Sequence, residues 1–207
     1  MSKFFDLDGP FSKFGSVFFD IMILSLLWLV FTIPIITSGA ATTALFYVVT
    51  RRISGREGYL ISDFWRSFRL NFKQATFCWL LIMLIAWVVF INITNINRLG
   101  SAKNVVLPIQ LGIALETGAI SLYVFPIIAR FKLSLKDVFK NAFFLANRHF
   151  LTTLMLMSVG VGVILLSLAT VLFSLMAMGV YAFIASHLIM RVFRKYNPGM
   201  DRDDELE

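Results

Sequence analysis

The sequence predicts an all-α, polytopic helical membrane protein of one domain. About six membrane-crossing helices form three hairpins, and two amphipathic helices lie on the cytoplasmic side. Three observations predict this. Of the 207 residues, 58% are hydrophobic and 15% charged, where a soluble domain averages roughly 45–50% and about 25%. The mean hydropathy is +0.82. The apolar residues also gather into runs near the ~20 residues that cross a hydrocarbon core, and nearly all charges fall between the runs.

The first run, Val17–Ile36, is 20 residues long. A signal-peptide core has roughly 7–15, so the run reads as an uncleaved first span. Further spans are expected at 76–97 and 105–129. Leu151–Met190 runs for 40 residues without a formally charged side chain, which fits two spans, 151–170 and 173–192, with a tight turn near Thr170–Ser174. Residues 38–54 leave two readings open. Pro34 and Gly39 mark a turn, after which the chain either crosses back as a short helix or lies as a re-entrant or surface segment. The six-span reading takes the crossing.

The cations orient these spans. Arg51, Arg52, Arg56, Arg66, Arg69 and Lys73 precede the run at 76–97, and Arg130, Lys132, Lys136, Lys140 and Arg148 precede the run at 151–170. An excess of Lys and Arg marks the cytoplasmic side. That places the C-terminus, with Arg191, Arg194 and Lys195, in the cytoplasm. Six crossings put the N-terminus there too. The net charge of +7 is therefore a topology signal and not a nucleic-acid footprint.

Two cytoplasmic segments read as amphipathic interfacial helices. In 61–75, Ile61, Phe64, Trp65, Phe68 and Phe72 share a face, opposite Asp63, Arg66, Arg69 and Lys73. In 134–149, Leu135, Val138, Phe139, Ala142, Phe143 and Ala146 share a face, with Lys136, Lys140 and Asn147 away from it. Such spacing is helical, and basic helices with aromatic faces suit a membrane interface. Arg66, Arg69, Lys73, Lys136 and Lys140 are candidate contacts for anionic lipid. Ile61 and Leu135, Asp63 and Asp137, and Pro34 and Pro108 are each 74 positions apart, which suggests one unit used twice.

Glu116, near the middle of the span 105–129, is the strongest candidate site residue. A carboxylate at mid-membrane costs about 2.5–3.5 kcal/mol against lipid, so Glu116 is expected to face the bundle. Thr42 and Thr43, with Thr37 and Ser38, are candidate partners for it, and Asp20 is a further candidate near the start of the first span. One cysteine, Cys78, excludes an internal disulfide, and two histidines give no metal-ligand spacing. The sequence carries no P-loop, G-x-S-x-G or H-E-x-x-H pattern. No metal, cofactor or enzymatic activity is expected.

The stretches "LLWLVFTIPIITSGAATTALFYVVTRR", "DFWRSFRLNFKQA" and "SLKDVFKNAFFLANRHFLTTL" resemble the YesL family of bacterial membrane proteins, a domain of unknown function. The resemblance covers roughly residues 4–195, and "PIITSGAATTAL" is its most specific block. Ser25 stands where the family more often has Asn. Because genes of that family often lie beside those for carbohydrate-uptake ABC transporters, the resemblance implies an accessory or regulatory role in sugar uptake, with an ABC transporter or membrane sensor as partner. The alternative expectation is a small polar-solute or proton-coupled transporter or channel using Glu116.

Overall fold

The computed structural model describes residues 10–56 and 58–196. All regular structure among them is helical: α1 (Pro10–Thr32), α2 (Ser38–Ile53), α3 (Leu60–Thr94), α4 (Lys103–Arg130), α5 (Leu135–Arg148), α6 (Phe150–Ala169) and α7 (Val171–Tyr196). Short 3₁₀ turns join α1 to α2 and α3 to α4. Among the described residues, five segments are long and apolar enough to cross a membrane: Gly15–Thr32, Leu60–Thr94, Lys103–Arg130, Phe150–Ala169 and Phe173–Tyr196. Their outward faces carry exposed Phe77, Leu84, Trp87, Phe90, Val105, Leu115, Ile164 and Leu168. An aqueous surface does not tolerate so large a contiguous apolar area, and lipid does.

The fold is organised around α2. Almost every α2 residue from Ser38 to Thr50 is buried, enclosed by α1, α3, α4 and α7. Its small N-terminal residues Gly39, Ala40, Ala41 and Ala44 permit this, since small side chains let helix backbones approach closely. At Gly39 the approach leaves no room for a side chain. A Cβ there would sit 2.5 Å from the Ala75 carbonyl oxygen and 2.6 Å from Trp79 Cβ. At its other end α2 stops on Gly55, which takes φ +73°. The Gly55 and Arg56 amides return to the carbonyls of Arg52 and Arg51, at 3.1 and 3.2 Å. That is a Schellman closure, and it uses the conformation glycine adopts at least cost.

The turn between α1 and α2 satisfies its own backbone. Thr37 donates its hydroxyl to the Phe31 carbonyl. The Ile35 carbonyl accepts from Ser38 Oγ at 2.7 Å and from Trp79 Nε1 at 2.9 Å. A turn flanked by exposed Ile33, Ile35 and Ile36 needs such partners where water is scarce. The expected first span, 17–36, therefore ends earlier, at Thr32, and the rest of it forms the turn.

Paired contacts fix the directions of the first three helices. Asp20 meets Arg52 and Trp28 meets Thr42, so α2 returns antiparallel along α1. Arg51 meets Asp63 and Gly39 lies against Ala75 and Trp79, so the first half of α3 runs antiparallel along α2. This corrects one expectation. Segment 61–75 is not a separate helix; it forms the opening turns of α3, a single 35-residue helix about 52 Å long. No Pro or Gly occurs between Gly58 and Gly100, so nothing breaks the helix where the charged face gives way to the apolar run. Because α2 and residues 60–79 lie side by side, they share a depth. A crossing at 38–54 and a separate in-plane helix at 61–75 therefore exclude one another.

The second half differs. Ser134 caps α5 by accepting from the Asp137 amide at 3.3 Å, the bond a serine at the N-cap supplies. The chain then breaks at His149 (φ −108°, ψ 48°) before α6 begins. The two segments 74 positions apart thus take different structures, one continuous with its span and one not. The α6–α7 turn falls at Thr170, within the expected Thr170–Ser174. Helix α1 crosses α7 at Ser25, which is fully buried. Ser25 Oγ donates to the Met176 carbonyl at 3.1 Å and accepts the Gly179 amide at 3.0 Å.

Gly39→Ala is expected to lower stability in detergent by about 1–3 kcal/mol, the cost of overpacking a closed contact. Gly112→Ala, where an added Cβ meets nothing within 4 Å, is expected to be neutral or mildly stabilising. Thermal melts of the two variants check this, and equal melting temperatures contradict the close α2–α3 approach.

Candidate functional site

Helix α4 carries Glu116 on a half-buried position. Its Oε1 accepts from Asn147 Nδ2 at 2.7 Å, and Asn147 also donates to the Phe143 carbonyl at 3.0 Å, one turn earlier in α5. The carboxylate thus ties α4 to the end of α5. The expected partners lie elsewhere. Thr37 and Ser38 bond within the α1–α2 turn, and Thr42 Oγ1 accepts from Trp28 Nε1 at 3.0 Å. Thr43 is completely buried, with no hydrogen bond from its hydroxyl among the described residues. Asp20 bonds Arg52 Nε through Oδ2 at 2.7 Å.

The four candidates therefore form no single constellation. Asp20 and Thr42 pin α1 to α2, Thr43 is internal to the α2 packing, and Glu116 belongs to the α4–α5 contact. Asn147 was missed because the α5 pattern places it away from the apolar face, where a solvated residue is the default. No local signal shows that α5 brings this face to α4. Arg51, read only as a topology marker, bonds Tyr47 Oη at 3.2 Å and reaches Asp63 at 3.5 Å.

The basic candidates keep to the surface. Arg66, Arg69, Lys73, Lys136 and Lys140 are all exposed. Arg69 lies 5.9 Å from the Trp65 ring centroid, an arrangement that holds a guanidinium over an aromatic face at an interface.

A large apolar cleft of about 790 Å³ opens among α4, α6, α7 and Trp28 of α1. Gly118, Leu156, Met157, Gly160, Met178 and Tyr181 contribute to its walls, and no charged residue does. Of its hydroxyls, those of Ser121 and Ser167 donate to the carbonyls of Gly118 and Val163 in their own helices, which lowers the polarity they offer to the cleft. Among the described residues, no three His, Cys, Asp or Glu side chains cluster to hold a metal ion.

These features define an all-helical protein with an apolar exterior, a buried central helix and an uncharged cleft. The family model described as "Protein of unknown function, DUF624" matches residues 21–93. The chain is 26% identical over 189 residues to "Uncharacterized protein YesL" of Bacillus subtilis (strain 168), covering 89% of this chain and 88% of that protein. Both matches support the resemblance to the YesL family. No solved structure matches it.

Proposed function

We propose that this chain is a non-catalytic accessory or regulatory protein of the bacterial plasma membrane, working beside ABC-type carbohydrate-uptake machinery. One observation carries the choice over a transporter. Glu116 is spent on holding Asn147 and is absent from the lining of the large cleft, which has no charge at all. A polar-solute or proton path needs ionisable or polar groups facing a wet cavity. The link to sugar uptake rests on the family resemblance, and the exposed basic residues supply a face for a cytoplasmic or membrane partner.

Affinity purification under mild detergent, from native membranes grown on an inducing carbohydrate, is expected to recover a transporter or sensor subunit. Sealed vesicles containing the protein alone are expected to show no proton or sugar flux. Recovery of the chain alone, together with flux abolished by Glu116→Gln, contradicts the accessory reading and supports the transporter.

The proposed topology follows from the antiparallel α1–α2 pairing. Helix α2, at 16 residues, is about 24 Å long and shorter than the ~30 Å core, yet it leads the chain back along α1 to Arg51 and Arg52. Both chain ends then share the side marked by Arg130, Arg148, Arg191 and Lys195, the cytoplasmic side. A cysteine introduced by Lys3→Cys is expected to react with an impermeant maleimide only in inside-out vesicles. Labelling in right-side-out cells contradicts the arrangement.

A further inference from the structure

Helices α4, α5 and α7 enclose a second, smaller pocket of about 250 Å³. Its walls include Ile127, Phe131, Leu133, Leu145 and Phe193, with the Phe131 and Phe193 rings edge to face at 5.2 Å. Phe144 and Tyr196 also border it and meet edge to face at 6.2 Å. His149 Nε2 lies 2.9 Å from Tyr196 Oη. Arg148 stands 5.6 Å from the Phe144 centroid. Lys195, on α7, precedes Tyr196 in the chain. The pocket is thus mainly apolar inside, with Asn141 as a polar wall residue, and cationic at its aromatic rim.

We infer that this pocket binds an anionic phospholipid, with acyl chain among Ile127, Leu145 and Phe193 and phosphate on Arg148 and Lys195. An apolar pocket with a cationic mouth is complementary to an amphiphile with a negative head. A soluble anion uses the rim and gains nothing from the interior; a neutral lipid uses the interior and leaves the cations unmatched. The surroundings of His149 are those of an anion site. Burial, then the charges of Lys195 and Arg148, hold its pKa below the usual histidine value. The groups that face it are Arg148 of α5 and Lys195 and Tyr196 of α7. A phosphate beside these cations offsets their repulsion and raises the His149 pKa.

The test is native mass spectrometry of the delipidated full chain in neutral detergent, titrated with phosphatidylglycerol or phosphatidylcholine. The chain is expected to prefer phosphatidylglycerol. Arg148→Gln with Lys195→Gln is expected to cut that preference about 25-fold, roughly fivefold per cation. The charge-conserving pair, Arg148→Lys with Lys195→Arg, is expected to restore it, which separates charge from folding. The His149 ring signals in proton magnetic resonance are expected to titrate at higher pH with phosphatidylglycerol bound than without. Equal retention of both lipids by the chain, or an unchanged preference in the Gln variant, overturns the proposal. Displacement of phosphatidylglycerol by millimolar inorganic phosphate also overturns it, since the site then reads the phosphate alone.

Discussion

Burial of α2 is the constraint on which the other contacts depend. A helix enclosed by α1, α3, α4 and α7 has no lipid or water face of its own. Its neighbours must therefore pack on its backbone, and its polar groups must find partners inside the protein. Both demands are visible, with the buried Thr43 hydroxyl as an exception to the second. Gly39 leaves no room for a Cβ against Ala75 and Trp79. Thr50 donates back to the Phe46 carbonyl at 2.7 Å, and Thr42 takes the Trp28 indole. Without a hydrophobic drive between helices in lipid, such close packing and bonding supply the association.

The same constraint explains where the charged residues near α2 sit. Arg51 and Arg52 leave its C-terminal turn in different directions, one toward Asp63 of α3 and one toward Asp20 of α1. Each pair is partly exposed, so neither adds much stability. Their effect is on register: they hold one end of both antiparallel pairings, while Trp28 and Gly39 hold points further along.

Much of this architecture is legible in the residues. Pro34 and Gly39 announce the turn into α2, and the uncharged stretch Leu151–Met190 contains a hairpin that bends at Thr170. The continuity of α3 is not legible from charge. Charge reports depth in a membrane, whereas helices are broken chiefly by Pro and Gly, and neither occurs between Gly58 and Gly100. Glu116 is conspicuous as an acid in an apolar run, but its partner Asn147 lies 31 positions away on another helix. Ser25 gives no local hint of its bonds to Met176 and Gly179 across 151 and 154 positions. Contacts of that kind depend on how helices cross, which periodicity does not encode.

The central claim is that α2 is the innermost helix and opens last. Hydrogen–deuterium exchange of the protein in lipid nanodiscs tests it directly. The amides of Ala40–Thr50 are expected to exchange more slowly than those of α1, α3, α4 and α7, through opening of the whole bundle. Exchange across α2 that outpaces its four neighbours would contradict the account.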